Sequence, residues 1–316
     1  MTNVPLSASA VELTASSLSG NPRVLVLGAG GWFGKTALSL ISGRTESLKL
    51  VGSYERAIVV NGKPFHIEKW SEDEVAKFRP EIVLDFAFLT RGFLTDYGHS
   101  EYVRINRELS RRVLTLASLD SVEGILTVSS GAAVGARNQL ANYIESDPYG
   151  ALKDQFEREF LEAAERHSVN AFIARAWSVS GGFVRQPMNY AFSSFALQAM
   201  TAMRIDIDAD SLVYRRYCAI EDFLAISLAN LMEGVTGALD SGGSLVEMAE
   251  LALEIAAQVK GADVVERLPN RSKKDTKTYC SDNAGWQAQL ETRSYVPASL
   301  SNQIANVLRA LGGPLP

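Results

Sequence analysis

The sequence predicts an α/β fold: a doubly wound parallel sheet with a smaller, interlocked C-terminal α/β part. Three observations carry that prediction. Short apolar runs alternate with helical patterns from Val24 to Trp177. The runs are continuous rather than alternating, as strands covered on both faces require. A glycine-rich turn, Gly28-Ala29-Gly30-Gly31-Trp32-Phe33-Gly34, joins the first run to the first helical pattern. Strand and helix in alternation favour parallel pairing through crossover helices.

The elements follow in order. Arg23-Val24-Leu25-Val26-Leu27 reads as the first strand, and a helical pattern runs from Lys35 through Ala37, Leu38, Leu40 and Ile41. Residues 48–52 read as the second strand and 64–67 as a short one. Ser71 is an N-cap candidate before the acidic first turn of Glu72, Asp73 and Glu74. Residues 82–87 form the next buried strand, followed by a polar-aromatic loop over 88–100. Residues 102–119 are helical, 125–130 a strand, 131–147 irregular, and 149–166 a helix. The strand 171–177 closes the alternation. Beyond it come a loop over 181–187, a helix over 188–203, and a short strand at Arg215 leading into a helix over 223–232. A helix over 245–259 and a small α/β cap over 279–311 follow, ended by Gly312-Gly313-Pro314. This gives an N-terminal extension over 1–20, a dinucleotide-binding domain over 21–178, and a mainly substrate-binding part over 179–316. Residues 213–235 are expected to pack back onto the first domain.

With 316 residues the chain can bury a large core. Its net charge of −5 argues against a surface for nucleic-acid phosphates. Two cysteines, Cys218 and Cys280, make no disulfide framework, which fits a reducing compartment. His66, His99 and His167 lack metal-ligand spacing, so no metal is expected. No apolar run approaches the roughly 20 residues of a membrane helix. The first 20 residues lack a basic start and an apolar core, so no secretory signal is expected. A cytoplasmic protein is the expectation.

The glycine turn lies between strand and helix, where its backbone amides and the helix N-terminus suit a pyrophosphate. Gly28, Gly31 and Gly34 give the spacing G-x-x-G-x-x-G, with Trp32 and Phe33 between the last two glycines. An NAD site places a carboxylate at the end of the second strand for the ribose 2′-hydroxyl. Ser53 stands there with Arg56 beyond it, a pair better suited to a 2′-phosphate and hence to NADP. Glu55 keeps NAD open, and Arg44 is a further phosphate candidate. Thr90 and Arg91 lie at the carboxyl end of a strand, where doubly wound sheets bind ligands. Tyr149 and Lys153, four apart in one helix, share a face, and an ammonium beside a phenol favours phenolate. Ser130, ending an apolar strand, offers a hydroxyl for the same substrate oxygen.

Taken together these segments resemble the extended short-chain dehydrogenase/reductases, the NAD(P)-dependent epimerase/dehydratase family that acts mostly on nucleotide sugars. The resemblance rests on the glycine turn, Asp85-Phe86-Ala87, Asn106 with residues 107–114, Val128-Ser129-Ser130 with Val134-Gly135, Tyr149-x-x-x-Lys153, and Arg215-x-Tyr217-x-x-Ile220-x-Asp222. It implies a Rossmann fold in which Tyr149 is the acid/base. Lys153 would bond the nicotinamide ribose and lower the tyrosine's pKa, and Ser130 would hold the reacting oxygen, with Ser129 the fallback. Ala87 and Asn106 would join the cofactor contacts, and Arg215 would clamp the substrate pyrophosphate. A homodimer through the helices of Tyr102 and Tyr149 is implied as well.

The departures from that resemblance narrow the chemistry. Gly131-Ala132 stands where 4,6-dehydratases carry Asp-Glu, and no cysteine lies near the serine strand for carbon-acid chemistry. Ser178 replaces the asparagine that meets the substrate phosphate, and Ala219 replaces a histidine. The expected activity is therefore reduction of a keto group on a nucleotide-linked sugar or other small carbonyl compound. The alternatives are NAD-dependent epimerisation by transient oxidation and, from another class, a silent cofactor-binding sensor or scaffold.

Overall fold

The structure, a computed structural model, describes residues 4–137, 143–262, 264–267 and 272–312. From the N-terminus the elements are α1 (Ala8–Ser17), β1 (Val24–Leu27), α2 (Trp32–Ile41), β2 (Leu48–Gly52), β3 (Arg56–Val60), β4 (Lys63–Lys69), α3 (Glu72–Phe78) and β5 (Ile82–Asp85). Then come α4 (Leu94–Tyr97), α5 (His99–Leu116), β6 (Gly124–Ser130), α6 (Gly131–Arg137), α7 (Tyr143–Ser146), α8 (Pro148–His167), β7 (Asn170–Ala176) and β8 (Val179–Ser180). The remainder comprises α9 (Ala191–Ala202), β9 (Arg204–Ile207), β10 (Ser211–Ala219), α10 (Ile220–Met232), β11 (Gly237–Asp240), β12 (Ser244–Glu247), α11 (Met248–Ala257), β13 (Val264–Arg267), β14 (Ser272–Tyr279), α12 (Ala284–Arg293) and α13 (Leu300–Ala310). No helix among the described residues is long and apolar enough to cross a membrane.

The chain divides into two units. Ala10–Ala176 and Leu224–Leu239 make the first, and the other described residues make the second. The first unit is built on an eight-stranded sheet in the order β11-β7-β6-β5-β1-β2-β4-β3. Parallel pairing runs from β7 through β6, β5, β1 and β2 to β4. β1 is fully buried along its length, which explains its unbroken apolar sequence. Tyr102, Asn106, Ser110, Val113 and Leu116 form one buried stripe of α5, and Phe156 and Phe160 anchor α8 in the same core. The order reverses at β1, whose neighbours are β2 and β5, and the carboxyl ends of such strands are where doubly wound sheets bind ligands.

The second unit holds the sheet β12-β10-β14, with β8 also pairing β10, and the pair β13-β9. Its core brings together Phe192, Ile205, Tyr217, Leu251, Ile255 and Ile304 from the surrounding helices and strands.

Three readings of the sequence need correction. β3 and β4 form an antiparallel hairpin, and Asn61 and Gly62 at its turn both take positive φ (47° and 76°), the geometry two-residue hairpins prefer. Arg56 therefore begins a strand. Among its described residues the stretch 131–147 holds two helices, α6 and α7, and α6 forms because it buries Ala133 and Ala136. The helix expected over 245–259 starts only at Met248. Glu247 caps it reciprocally with Glu250, and β12 takes the residues before. Gly313 and Pro314 lie outside the described residues. The Ser71 cap is present, its Oγ accepting from the Glu74 amide at 3.4 Å.

Candidate active site

The glycine turn leaves the end of β1 with Gly28 at φ +73°, a conformation that side chains resist. A Cβ on Gly28 would lie 2.5 Å from the Phe86 carbonyl, beside Ala87. A Cβ on Gly34 would lie 2.3 Å from the Gly28 oxygen. The turn can therefore pack this closely against the β5 loop and its own helix only with glycine. Gly31 caps α2 with no side chain over its first amides, and Trp32 and Phe33 open the helix. A helix start with no side-chain cap, reached by a glycine turn, suits a dinucleotide pyrophosphate, so the residues fit that group. The Arg56 guanidinium lies across it: Nη2 is 2.1 Å from where a Gly30 Cβ would stand. Tyr54 steadies the guanidinium, accepting from Nη1 at 2.6 Å and stacking its ring 4.9 Å below. Ser53 is exposed at the end of the strand pair. Glu55 is turned to His66 at 3.1 Å, and the Arg44 guanidinium bonds the Leu40 carbonyl at its own helix end.

The second part of the site surrounds α8. Pro148 starts the helix, with no amide hydrogen to lose, so Tyr149 falls in the first turn and Lys153 one turn on. Lys153 is buried, and its Nζ donates to the Val128 carbonyl at 2.7 Å, tying α8 to β6 two residues before Ser130. Burial lowers the Lys153 ammonium to about 8, with the Asp85 and Glu157 charges acting to raise it. Burial raises Asp85 to about 6 in turn, opposed by the Ala87 amide, the Lys153 charge and the Thr127 hydroxyl. Oδ1 of Asp85 accepts from the Ala87 amide at 3.1 Å and Oδ2 from the Thr127 hydroxyl at 2.9 Å. Ser130 Oγ accepts from the Ala132 amide at 3.2 Å. Ser129 Oγ is buried with no hydrogen-bond partner among the described residues.

The loop after β5 lies against Tyr149. The Phe88 ring meets the phenol ring edge-to-face at 5.9 Å, and Arg91 sits over it at 5.6 Å while pairing with Asp147. Thr90 is exposed. Asn106, expected among the cofactor contacts, is fully buried. It accepts from the Leu89 amide at 2.8 Å and donates to the Leu89 carbonyl at 3.3 Å. Its amide is spent on the loop backbone, so it holds the loop. Tyr102 helps, donating to the same carbonyl at 2.7 Å. Ser178 and Arg215 belong to the second unit. Ser178 is buried, and the Arg215 guanidinium stacks 5.1 Å from the Tyr279 ring, which itself packs on Trp177 at 5.1 Å.

The model of the NAD dependent epimerase/dehydratase family matches residues 24–238. The chain belongs to that family. Solved structures agree in fold. UDP-N-acetylglucosamine 4-epimerase from Methanobrevibacter ruminantium M1, in complex with UDP-N-acetylmuramic acid, superposes with a TM-score of 0.75 at 16% identity, covering 92% of this chain and 98% of its own. WbmF of Bordetella bronchiseptica, in complex with NADH, gives 0.74 at 15% identity over 93% of each chain. UDP-glucose 4-epimerase from Brucella ovis, in complex with NAD, gives 0.70 at 18% identity over 92% and 98%. No curated protein matched in sequence.

Within this epimerase/dehydratase-family site, three features escaped the sequence reading. Asp85 was legible as a carboxylate ending the apolar run Ile82-Val83-Leu84, though its proximity to Lys153 was not. Phe88 gave no signal beyond standing in an aromatic loop. Glu157 is almost fully buried between Arg175 at 2.7 Å and Arg137 at 2.9 Å, and Arg137 also pairs with Asp154 at 2.8 Å. A buried carboxylate held by two guanidiniums locks α6 and β7 to α8. Its only trace was the i, i+4 spacing of Lys153 and Glu157.

Proposed function

We propose that this family member reduces a keto group on a nucleotide-linked sugar, with NADPH as the reductant and Tyr149 as the proton donor. The cofactor, when bound, supplies the hydride that reaches the carbonyl carbon. Tyr149 gives its phenolic proton to the carbonyl oxygen, so that hydride and proton together make the alcohol. The Lys153 ammonium, fixed by the Val128 carbonyl, favours the phenolate left behind. Ser130 accepts from the Ala132 amide, and its own O–H donates to the substrate oxygen in this reading. Gly28, Gly31 and Gly34 admit the pyrophosphate, Ser53 and Arg56 the adenosine end, and Ala87 the strand-end side of the cofactor. Thr90, Arg91, Ser129, Ser178 and Arg215 are the substrate contacts of this reading, with Arg215 for the diphosphate.

The single observation that supports net reduction is Arg56, whose guanidinium lies against Gly30 of the glycine turn while Glu55 faces His66. Net reduction draws on NADPH, and a guanidinium is the natural partner of that phosphate. Membership of an epimerase/dehydratase family supports a second reading, in which the same residues take a hydride onto tightly held NAD and return it to epimerise a hydroxyl. A silent sensor is the weaker alternative, since Ser130, Tyr149 and Lys153 are all present. A homodimer paired through α5 and α8 accompanies the proposal.

Purified protein incubated with NADPH or NADH and a panel of 4-keto nucleotide sugars tests it. NADPH oxidation matched by formation of the reduced sugar is expected. NAD retained through purification, with epimers interconverting and no net oxidation, would replace reduction by epimerisation.

A further inference from the structure

Lys153 sits in a pocket that does little to hydrate an ammonium. It is buried, and Nζ makes its hydrogen bond to one carbonyl, that of Val128. It also lies over the face of Phe88, with Nζ only 3.7 Å from the ring centroid. That is well inside the range of about 6 Å over which an aromatic quadrupole attracts a cation, and the attraction grows when water is excluded. The same ring meets Tyr149 edge-to-face, at an interplanar angle of 76°. One side chain therefore touches both residues of the proton-handling pair. Its loop is fixed by Leu89, whose carbonyl accepts from Tyr102 and Asn106 and whose amide donates to Asn106.

We propose that Phe88 is a positioning residue of this site, its face holding the Lys153 ammonium and its contact with Tyr149 fixing the phenol one turn away. The charged and titratable groups around that ammonium come from several elements. Asp85 ends β5, Glu157 lies one turn on in α8, and Tyr149 one turn before. Arg137 of α6 and Arg175 of β7 neutralise Glu157, and Tyr102 of α5 lies near Tyr149. Two carboxylates and a π face thus oppose the desolvation that drives a buried lysine toward neutrality. Removing the π face leaves the carboxylates unchanged and tips the balance toward the neutral amine.

The inference rests on reading Lys153 as the ammonium beside the proton donor, yet its test needs no turnover, so each can fail alone. The full chain is labelled with lysine carrying carbon-13 at Cε, Lys153 is assigned with the Lys153→Arg variant, and its shift is followed against pH. Phe88→Leu and Phe88→Met keep an apolar side chain without the π face, and Phe88→Trp keeps the face. The Lys153 midpoint is expected to fall by roughly half to one and a half pH units in the Leu and Met variants. It should stay at or above the wild-type value in the Trp variant. A midpoint unmoved in Leu and Met, or lowered as far in Trp as in Leu, overturns the proposal.

Discussion

The glycine turn and the Tyr149–Lys153 corner handle charge in opposite ways. At the turn, residues 28–34 draw segments together by omitting side chains: two absent Cβ atoms allow backbone to approach backbone. At the corner, β5, its loop, β6 and α8 each contribute a group to set the state of one ammonium. The first device is local and steric. The second is assembled across more than seventy residues of sequence and is electrostatic. A steric site tolerates no added atom, whereas an electrostatic one responds in degrees.

That contrast can be tested from its larger effect downward. Gly34→Ala forces a Cβ to within 2.3 Å of the Gly28 oxygen. Overpacking of this kind costs about 1–3 kcal/mol, and Tm should fall by roughly 3–10 °C with dinucleotide binding lost. Gly135→Ala is the control, since nothing stands within 4 Å of the added atom, and its Tm and binding should match wild type. A well-folded Gly34→Ala chain that still binds cofactor would break the steric half of the comparison.

The electrostatic half predicts a graded response. Asp85 acts to keep Lys153 charged, so Asp85→Asn should shift the alkaline limb of the pH–rate profile, near 8 in the wild type, to lower pH. The linked stabilities have opposite signs. The folded chain binds Lys153's proton less tightly than the unfolded chain, so this group's contribution to stability rises with pH from about 8 to 10.5. Asp85 is raised from 3.8 to about 6, so the folded chain holds the extra proton in that window and the contribution falls as pH rises through it. Urea titrations of wild type and Asp85→Asn across pH 4–6 would show the second slope lost in the variant. An unmoved alkaline limb would show that Asp85 does not act on Lys153.

The smallest expected effect concerns cofactor choice. Arg56→Ala should weaken NADPH about tenfold, the worth of one exchanged charge-assisted contact, and leave NADH nearly unchanged. Isothermal titration with both cofactors measures it, and equal losses would remove the case for NADP.

The same contrast explains what could be read from the sequence. β1, the glycine turn, β5, β6, α8 and β7 announce themselves because continuous apolar runs and glycine spacing are local consequences of burial and backbone sterics. The β3–β4 hairpin was missed although Asn61-Gly62 marks it, because the strand end at Ser53 was read as leading directly to a phosphate contact. Residues 245–247 suit strand and helix alike on the sequence alone, because Leu245 and Val246 are apolar and Glu247 is a good helix former. Asn106 is a similar case: a polar residue on an apolar helix face marks a buried hydrogen bond without naming the partner, here Leu89. Phe88 and Asp85 could not have been placed beside Lys153 from spacing, because the fold alone brings these two distant segments together.

The most direct test of the whole account is Tyr149→Phe. It removes one hydroxyl, keeps the ring that Phe88 and Arg91 contact, and leaves the glycine turn untouched. Turnover of the keto-sugar nucleotide should fall by a factor on the order of 10² to 10⁴, with the Kd for NADPH unchanged. A variant that turns over at close to the wild-type rate would contradict the assignment of Tyr149 as the proton donor and, with it, the proposed chemistry.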